Sequence, residues 1–97
     1  MIGKIHSLNS GELFACCDKE LINKTLKFND VEINISSNFY GTKLISKKEL
    51  LDCIKSCNQV NIFGNKICKL LIEENMIISE QIIYIEDIAH VQIYNLL

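Results

Sequence analysis

The stretch Ser46-Lys-Lys-Glu-Leu-Leu-Asp-Cys-Ile-Lys-Ser-Cys57 decides the fold class, because it combines a helix start with an apolar stripe. Ser46 and Glu49 have the spacing of a capping box, in which each side chain accepts a backbone N–H of the first helical turn. Leu50, Ile54 and Cys57 then recur at helical spacing. One side of the predicted helix is therefore apolar and needs a surface to pack against.

Segments with alternating apolar and polar residues predict that surface to be a sheet. The clearest is Val31-Glu-Ile-Asn-Ile35, in which every second side chain is aliphatic, as in a half-buried strand. Asn29-Asp30 joins it to residues 25–28 as a predicted hairpin, because this pair tolerates positive φ. Further strands are predicted at residues 2–8 and 12–17, which form an earlier hairpin, and at residues 60–63, 82–85 and 91–94.

A second amphipathic helix is predicted over residues 65–75, while Asp18 is expected to cap a short helical turn and residues 36–42 to form a loop. No repeat, linker or low-complexity tract interrupts the sequence, so we expect one domain over residues 1–97. The predicted fold is α+β: a two-layer sandwich with a mixed, mostly antiparallel sheet and the two main helices packed on one face.

Composition narrows the class of protein. Of the 97 residues 48% are hydrophobic and 23% are charged, which is typical of a globular chain. No apolar run approaches the ~18 residues that cross a bilayer, and the first residues lack an export signal, so we expect a cytoplasmic protein without a membrane partner. The net charge is −2 and no lysine follows Lys69, so sequence-specific DNA binding is not expected. The oligomeric state stays open.

The five cysteines are the most conspicuous residues of the sequence. Cys53 and Cys57 lie four positions apart on the first predicted helix and could together hold a metal ion. That face is also the apolar one, and no C-x-x-C pair is present, so buried free thiols are the preferred interpretation. Whether Cys53, Cys57 or Cys68 bind a metal or form a disulfide stays open. Cys16 and Cys17 are adjacent on a strand and should point to opposite faces.

Glu86, Asp87 and His90 place two carboxylates and an imidazole in one predicted loop. Such a group could bind a divalent ion or supply a general base, with His6 as a further contributor. That is the alternative function, a small metal-dependent enzyme, and it requires His6 and His90 to meet in one pocket. A solvated turn whose histidine caps the last strand is the preferred interpretation.

Phe39 and Tyr40 precede Gly41 in the predicted loop and are followed by Lys43, Lys47 and Lys48. Aromatic side chains outside regular structure are typical of binding surfaces, although the two rings could equally fold back over the core. Gly64-Asn65-Lys66, at a strand-to-helix junction, could hold an anion on free backbone amides. It matches no established phosphate-binding motif, and no catalytic signature is present.

The sequence resembles a family of small archaeal proteins, domain of unknown function 424 (DUF424). The resemblance runs nearly end to end, through Met1-Ile-Gly-Lys-Ile-His6, Cys17-Asp-Lys-Glu-Leu21, Phe39-Tyr-Gly41, Gly64 and Ala89-His-Val-Gln92. Thr42 stands where the family often has a second glycine, and Ala89 and Val91 depart from a Pro-His-Ala-Gln motif. The resemblance implies an archaeal cytoplasmic α+β protein that is associated with the translation apparatus.

These observations favour a non-enzymatic module that binds a protein or ribonucleoprotein partner and needs no cofactor. Neither catalytic nor metal-binding residues are predicted. The predicted binding residues are Phe39, Tyr40, Gly41, Lys43, His90 and Gln92.

Overall fold

A computed structural model describes residues 1–95. Over this range the chain forms seven strands and three α-helices, because segments with period-two patterning form strands and segments with helical patterning form helices. In chain order the elements are β1 (Ile2–Leu8), β2 (Gly11–Cys17), β3 (Thr25–Phe28), β4 (Val31–Asn34), α1 (Ser37–Tyr40), α2 (Lys47–Ser56), β5 (Gln59–Phe63), α3 (Asn65–Glu73), β6 (Ile83–Ile85) and β7 (Ile88–Tyr94), with short 3-10 turns at Lys19–Leu21 and Ser79–Gln81.

Five of the strands form one mixed sheet in the order β1-β2-β5-β7-β6. The pairs β1–β2, β5–β7 and β6–β7 are antiparallel, whereas β2 and β5 are parallel. A parallel pair needs a long crossover, and the chain between β2 and β5, which contains α2, provides it. The predicted mixed, mostly antiparallel sheet is confirmed.

The helices α2 and α3 cover one face of the sheet and close the main core. Their apolar stripes bring Leu50, Ile54, Ile67 and Leu71 against strand residues such as Ile62, and all five are at least 96% buried. The predicted capping box of α2 is present, with Ser46 Oγ accepting the N–H of Glu49 at 3.1 Å and Glu49 Oε1 accepting that of Ser46 at 3.0 Å. Among residues 1–95, no helix is long and apolar enough to cross a membrane.

The opposite face of the sheet is half covered. The strands β3 and β4 pair with each other as a separate two-stranded sheet. Together with α1 they pack over Cys17 and Phe63 and enclose a second core containing Leu26, Ile35 and Tyr40. The remaining half of this face is open to solvent.

Two sequence predictions near the candidate site are wrong. Residues 36–42 are not entirely a loop, because Ser36 caps a one-turn helix by accepting the N–H of Phe39 at 3.3 Å. His90 does not lie in a loop but inside β7, because Glu86 and Asp87 alone make the turn between β6 and β7. Both turn residues have positive φ, 49° and 65°, as a two-residue hairpin turn requires.

Candidate functional site

The half-covered face carries three rows of side chains that run across the strands. Residues paired directly across neighbouring strands share a face. The pairing registers therefore define an outer row (His6, Leu13, Gln59, Tyr94), a middle row (Lys4, Ala15, Asn61, Gln92) and an inner row (Ile2, Cys17, Phe63, His90, Ile83).

An unbroken series of ring contacts crosses this face from β1 to β7. The ring centroids of His6 and Phe39 lie 5.0 Å apart, and those of Phe39 and Tyr40 4.9 Å apart. Tyr40 meets Phe63 edge-on at 6.2 Å, and Phe63 stacks on His90 at 4.0 Å. Phe63 thus links the predicted site residues Phe39 and Tyr40 to His90 inside the fold.

Tyr40 is 4% exposed, so this ring folds back over the core. Its hydroxyl donates to Asn61 Oδ1 at 2.6 Å and thereby orients the amide of a middle-row residue. Burial raises the pKa of Tyr40 above its usual range, so the hydroxyl stays protonated. Phe39 is half-buried, and its backbone carbonyl lies 2.7 Å from His6 Nε2.

His90 is 8% exposed, and its Nδ1 lies 2.8 Å from the backbone carbonyl oxygen of Ile62. A carbonyl can only accept, so Nδ1 carries the proton and Nε2 of the neutral ring carries a lone pair. Burial lowers the pKa of His90 and so favours this neutral form.

His90 lines a groove of about 420 Å³ between the β3–β4 hairpin and the strands β6 and β7, which we call the His90 groove. Phe28, Ile33, Ile83 and Ile85 form its apolar walls. The side chains of Gln81, Gln92 and Tyr94 complete the lining, and none of the lining residues is a lysine or an acid.

A second groove, of about 510 Å³, lies beside β1. Gly41 and Lys43 line it, together with Ile45 and Cys53. Gly41 has a φ of 83°, and a side chain there would press against Lys4. The exposed ammonium of Lys43 lies 3.7 Å from a Glu49 carboxylate oxygen, a weak surface pair. The predicted binding residues are therefore divided, with Gly41 and Lys43 near β1 and His90 and Gln92 between β5 and β6.

The predicted alternative metal site is not assembled. His6 and His90 lie on β1 and β7, which β2 and β5 separate, so the strand spacing alone puts the two backbones roughly 14 Å apart, and they are also offset along the strands because His6 is in the outer row and His90 in the inner row. The expectation that the two histidines meet in one pocket is wrong. Glu86 uses its carboxylate to accept the backbone N–H of Lys27. No three His, Cys, Asp or Glu side chains within residues 1–95 are placed to hold a metal ion together.

The cysteines are free thiols and most of them are buried. Cys16 and Cys17 belong to the two different cores, as their adjacency on a strand predicts. Burial raises the pKa of every thiol, that of Cys17 to about 12 and that of Cys68 to about 11. A protonated thiol is a poor nucleophile and a poor metal ligand, so these side chains act as small core residues.

The predicted anion site at Gly64-Asn65-Lys66 is already filled by the protein itself. The Asp18 carboxylate accepts the backbone N–H groups of Lys66 and Ile67 at 3.0 and 3.3 Å. Asp18 therefore caps α3, and its side chain makes no capping bond to the 3-10 turn that follows it. Burial raises the pKa of Asp18, and the two hydrogen bonds oppose that effect.

Sequence reasoning missed Gln59, Asn61 and Tyr94. The signal was present, because in residues 59–62 and 91–94 polar side chains alternate with aliphatic ones. On strands this alternation places Gln59, Asn61, Gln92 and Tyr94 on one face, away from the helices.

Comparison with known proteins agrees with the fold. A family model described as "Protein of unknown function (DUF424)" matches residues 5–96. A solved structure of an uncharacterised conserved protein from Methanopyrus kandleri is similar with a TM-score of 0.81 and 22% identity, over 96% of this chain and 89% of that one. No curated protein matches.

Proposed function

This chain belongs to the DUF424 family of proteins of unknown function, and we propose from its geometry that it is a non-enzymatic binding module. Its partner is a protein, either alone or as the protein component of a ribonucleoprotein. The binding surface is the open half of the sheet, which we call the sheet patch, formed by Leu13, Phe39, Gln59, Asn61, Gln92 and Tyr94. The archaeal, cytoplasmic and translation-associated setting implied by the resemblance is part of this proposal.

The proposal depends on one observation, that the open half of this sheet face carries aromatic and amide groups with almost no charge. Tyr94 is 69% exposed at one end, and half-buried Phe39 lies at the other. Protein interfaces are enriched in such aromatic residues and depleted of charge at their centre. Because five of the six patch residues lie on paired strands, little backbone freedom is lost when a partner binds.

The near absence of charge on this face of the sheet favours a protein partner over the phosphate backbone of a nucleic acid. Of the eight residues in the outer and middle rows, Lys4 alone is a lysine or an acid, and its Nζ donates to the carbonyl oxygen of Asn38 at 3.1 Å. Phosphate recognition depends on lysine and arginine side chains, and the whole chain has a net charge of −2.

Several polar groups that could take part in catalysis are already hydrogen-bonded within the protein, which supports a non-enzymatic role. The Tyr40 hydroxyl is bonded to Asn61, and the carboxylates of Asp18 and Glu86 are bonded to backbone N–H groups. Catalysis by a nucleophile needs an activated side chain with a base beside it. The raised pKa values of the thiols work against such activation.

The six predicted binding residues take different parts in this proposal. Phe39 and Gln92 belong to the sheet patch. Buried Tyr40 orients Asn61, and Gly41 lets the chain turn beside Lys4. His90 lies beside the patch in its own groove, and Lys43 lies near β1.

Site-directed photo-crosslinking in archaeal cells tests the proposal. A benzoylphenylalanine at position 94 should crosslink to a defined protein, whereas the same group at Lys69, exposed on α3, should not. The substitutions Gln59→Ala and Gln92→Ala should reduce the yield at position 94. Nuclease treatment before illumination should leave that yield unchanged. Equal protein yields from positions 94 and 69, or transfer of the crosslink to RNA, would contradict the proposal.

A further inference from the structure

We propose that the His90 groove receives an aromatic side chain bearing a polar hydrogen, a tryptophan or a tyrosine of the partner protein, which donates that hydrogen to His90 Nε2. This inference rests on the proposed function, because the groove adjoins the sheet patch at Gln92 and Tyr94.

Contacts within the protein set the orientation of the His90 ring and leave Nε2 as the acceptor. Nδ1 of His90 donates to the Ile62 carbonyl oxygen at 2.8 Å, and the ring stacks on Phe63 with an interplanar angle of 20°. These two contacts set both the tautomer and the orientation of the ring. Within residues 1–95, Nε2 has no hydrogen-bond partner, and it is open to the surface, because no fully buried side-chain nitrogen or oxygen in this range lacks a partner. Nε2 is therefore an acceptor that a donor entering the groove can reach, and the hydrogen bond adds to the burial of the incoming ring.

The side chains that line the groove indicate the chemistry of the rest of the bound group. Phe28, Ile33, Ile83 and Ile85 offer an apolar surface, and the lining contains neither a lysine nor an acid. A charged ligand would lose part of its hydration there, and no lining side chain offers it a counter-charge. A flat apolar ring with one N–H or O–H fits both the walls and the acceptor, and tryptophan and tyrosine are the side chains with that composition. The groove, at about 420 Å³, is within the usual range for pockets of ~300–1,000 Å³.

A nucleobase of RNA has similar ring chemistry, but the surroundings disfavour its phosphates. The strands β6 and β7 and the turn carrying Gln81 all follow Lys69, and that part of the chain has five acids and no lysine. Glu80 and Glu86 directly flank the segment that supplies Gln81, Ile83 and Ile85. A polyanion would be repelled at this edge of the sheet, whereas a neutral side chain would not.

A matched pair of small probes tests the inference on the wild-type protein. N-acetyl-tyrosinamide and N-acetyl-phenylalaninamide differ by one hydroxyl, and N-acetyl-tryptophanamide supplies the indole N–H. We expect NMR titration to show that the tyrosine and tryptophan probes shift the His90 Nε2 resonance and the amides of Ile83 and Gln92. The phenylalanine probe should bind about two- to twelvefold more weakly, the value of one hydrogen bond.

Two variants complete the test. His90→Phe keeps a ring on Phe63 and removes the acceptor, so the tyrosine probe should lose its advantage over the phenylalanine probe. Ile83→Ala, in the groove wall, should weaken all probes alike. Equal binding of the tyrosine and phenylalanine probes to the wild type would overturn the inference, as would absence of binding in the groove or a preference for adenosine over the tryptophan probe. If photo-crosslinking at position 94 still succeeded, the proposed function would stand without this anchor.

Discussion

The carboxylate of Asp18 accepts the backbone N–H of Lys66, which lies 48 positions further along the chain, at 3.0 Å. A second hydrogen bond, from the N–H of Ile67, completes the cap of α3. This contact fastens the end of β2 to the start of the helix, and β2 and β5 are the parallel pair at the centre of the sheet. The cap is therefore a tertiary link and not a local one.

We expect Asp18→Ala to lower the free energy of unfolding by about 1–3 kcal/mol, because it leaves two backbone N–H groups of α3 without an acceptor. Asp18→Asn should cost less, since its amide oxygen can still accept one of them. Urea unfolding followed by circular dichroism measures both values. Glu20→Ala, which removes the exposed ion pair with Lys66, is the control and should have a much smaller effect. Equal losses for Asp18→Ala and Glu20→Ala would contradict the capping role.

Gly64→Ala should also destabilise the protein, for a reason that depends on Asp18. Gly64 has a φ of 139°, which alone costs a residue with a side chain about 1–3 kcal/mol. An added Cβ would in addition collide with the Asp18 carboxylate. The same substitution should therefore cost less in an Asp18→Ala background than in the wild type. A double-mutant cycle of urea midpoints measures this difference, and strictly additive losses would show that no collision occurs.

The features that sequence predicts correctly are those encoded locally. The capping box needs only Ser46 and Glu49, three positions apart, and it is present as expected. The turn at Asn29, with a φ of 49°, likewise depends on adjacent residues. The prediction that Asp18 caps the short turn that follows it is wrong, because its carboxylate accepts N–H groups of residues that are distant in sequence. Local patterns cannot show such a contact.

The candidate site was only partly predictable for the same reason. Phe39 and Gln92 could be selected by residue type, but the burial of Tyr40 depends on Phe63, a residue of a different strand. The pairing of Asn61 with Gln92 depends on strand order, which periodicity does not determine. The sequence predicts His90 in a loop because residue patterning does not show that Glu86 and Asp87 alone complete the turn between β6 and β7.

Tyr40→Phe should test the link between the second core and the sheet patch. The variant keeps the ring contacts with Phe39 and Phe63 but loses the hydroxyl that orients Asn61. We expect a loss of about 0.5–1.5 kcal/mol in the free energy of unfolding, the usual value of one hydrogen bond. In an Asn61→Ala background the same substitution should cost nearly nothing. Tyr40→Ala, as a comparison, should cost about 3–5 kcal/mol because it also empties the core.

His90 should make the protein less stable in mild acid. Its folded-state pKa is lowered by burial, whereas in the unfolded chain it is about 6.5. Below that pH the unfolded state binds a proton that the folded state refuses, so stability present above pH ~6.5 is lost as the pH falls. Urea unfolding at pH 7.5 and pH 5 should show a larger decrease for the wild type than for His90→Phe. Other titrating groups, including Asp18, are present in both proteins, so their effects cancel when the two decreases in stability are compared. Equal decreases for the wild type and His90→Phe would contradict a lowered pKa of His90.

The buried thiols should make the protein less stable in alkali, where the free energy of unfolding should fall as the pH rises. In the unfolded chain a thiol ionises near pH 8.5, but burial raises the pKa of Cys17 to about 12 and that of Cys68 to about 11. Between pH ~8.5 and these values the unfolded state releases protons that the folded state keeps, so stability falls as the pH rises, by about 1.4 kcal/mol per pH unit for each thiol. Urea unfolding in reductant at pH 8, 9 and 10 measures the slope. Cys68→Ala removes one of these thiols and should make the slope shallower by about that amount, whereas an unchanged slope would show that Cys68 ionises equally well in the folded and unfolded protein.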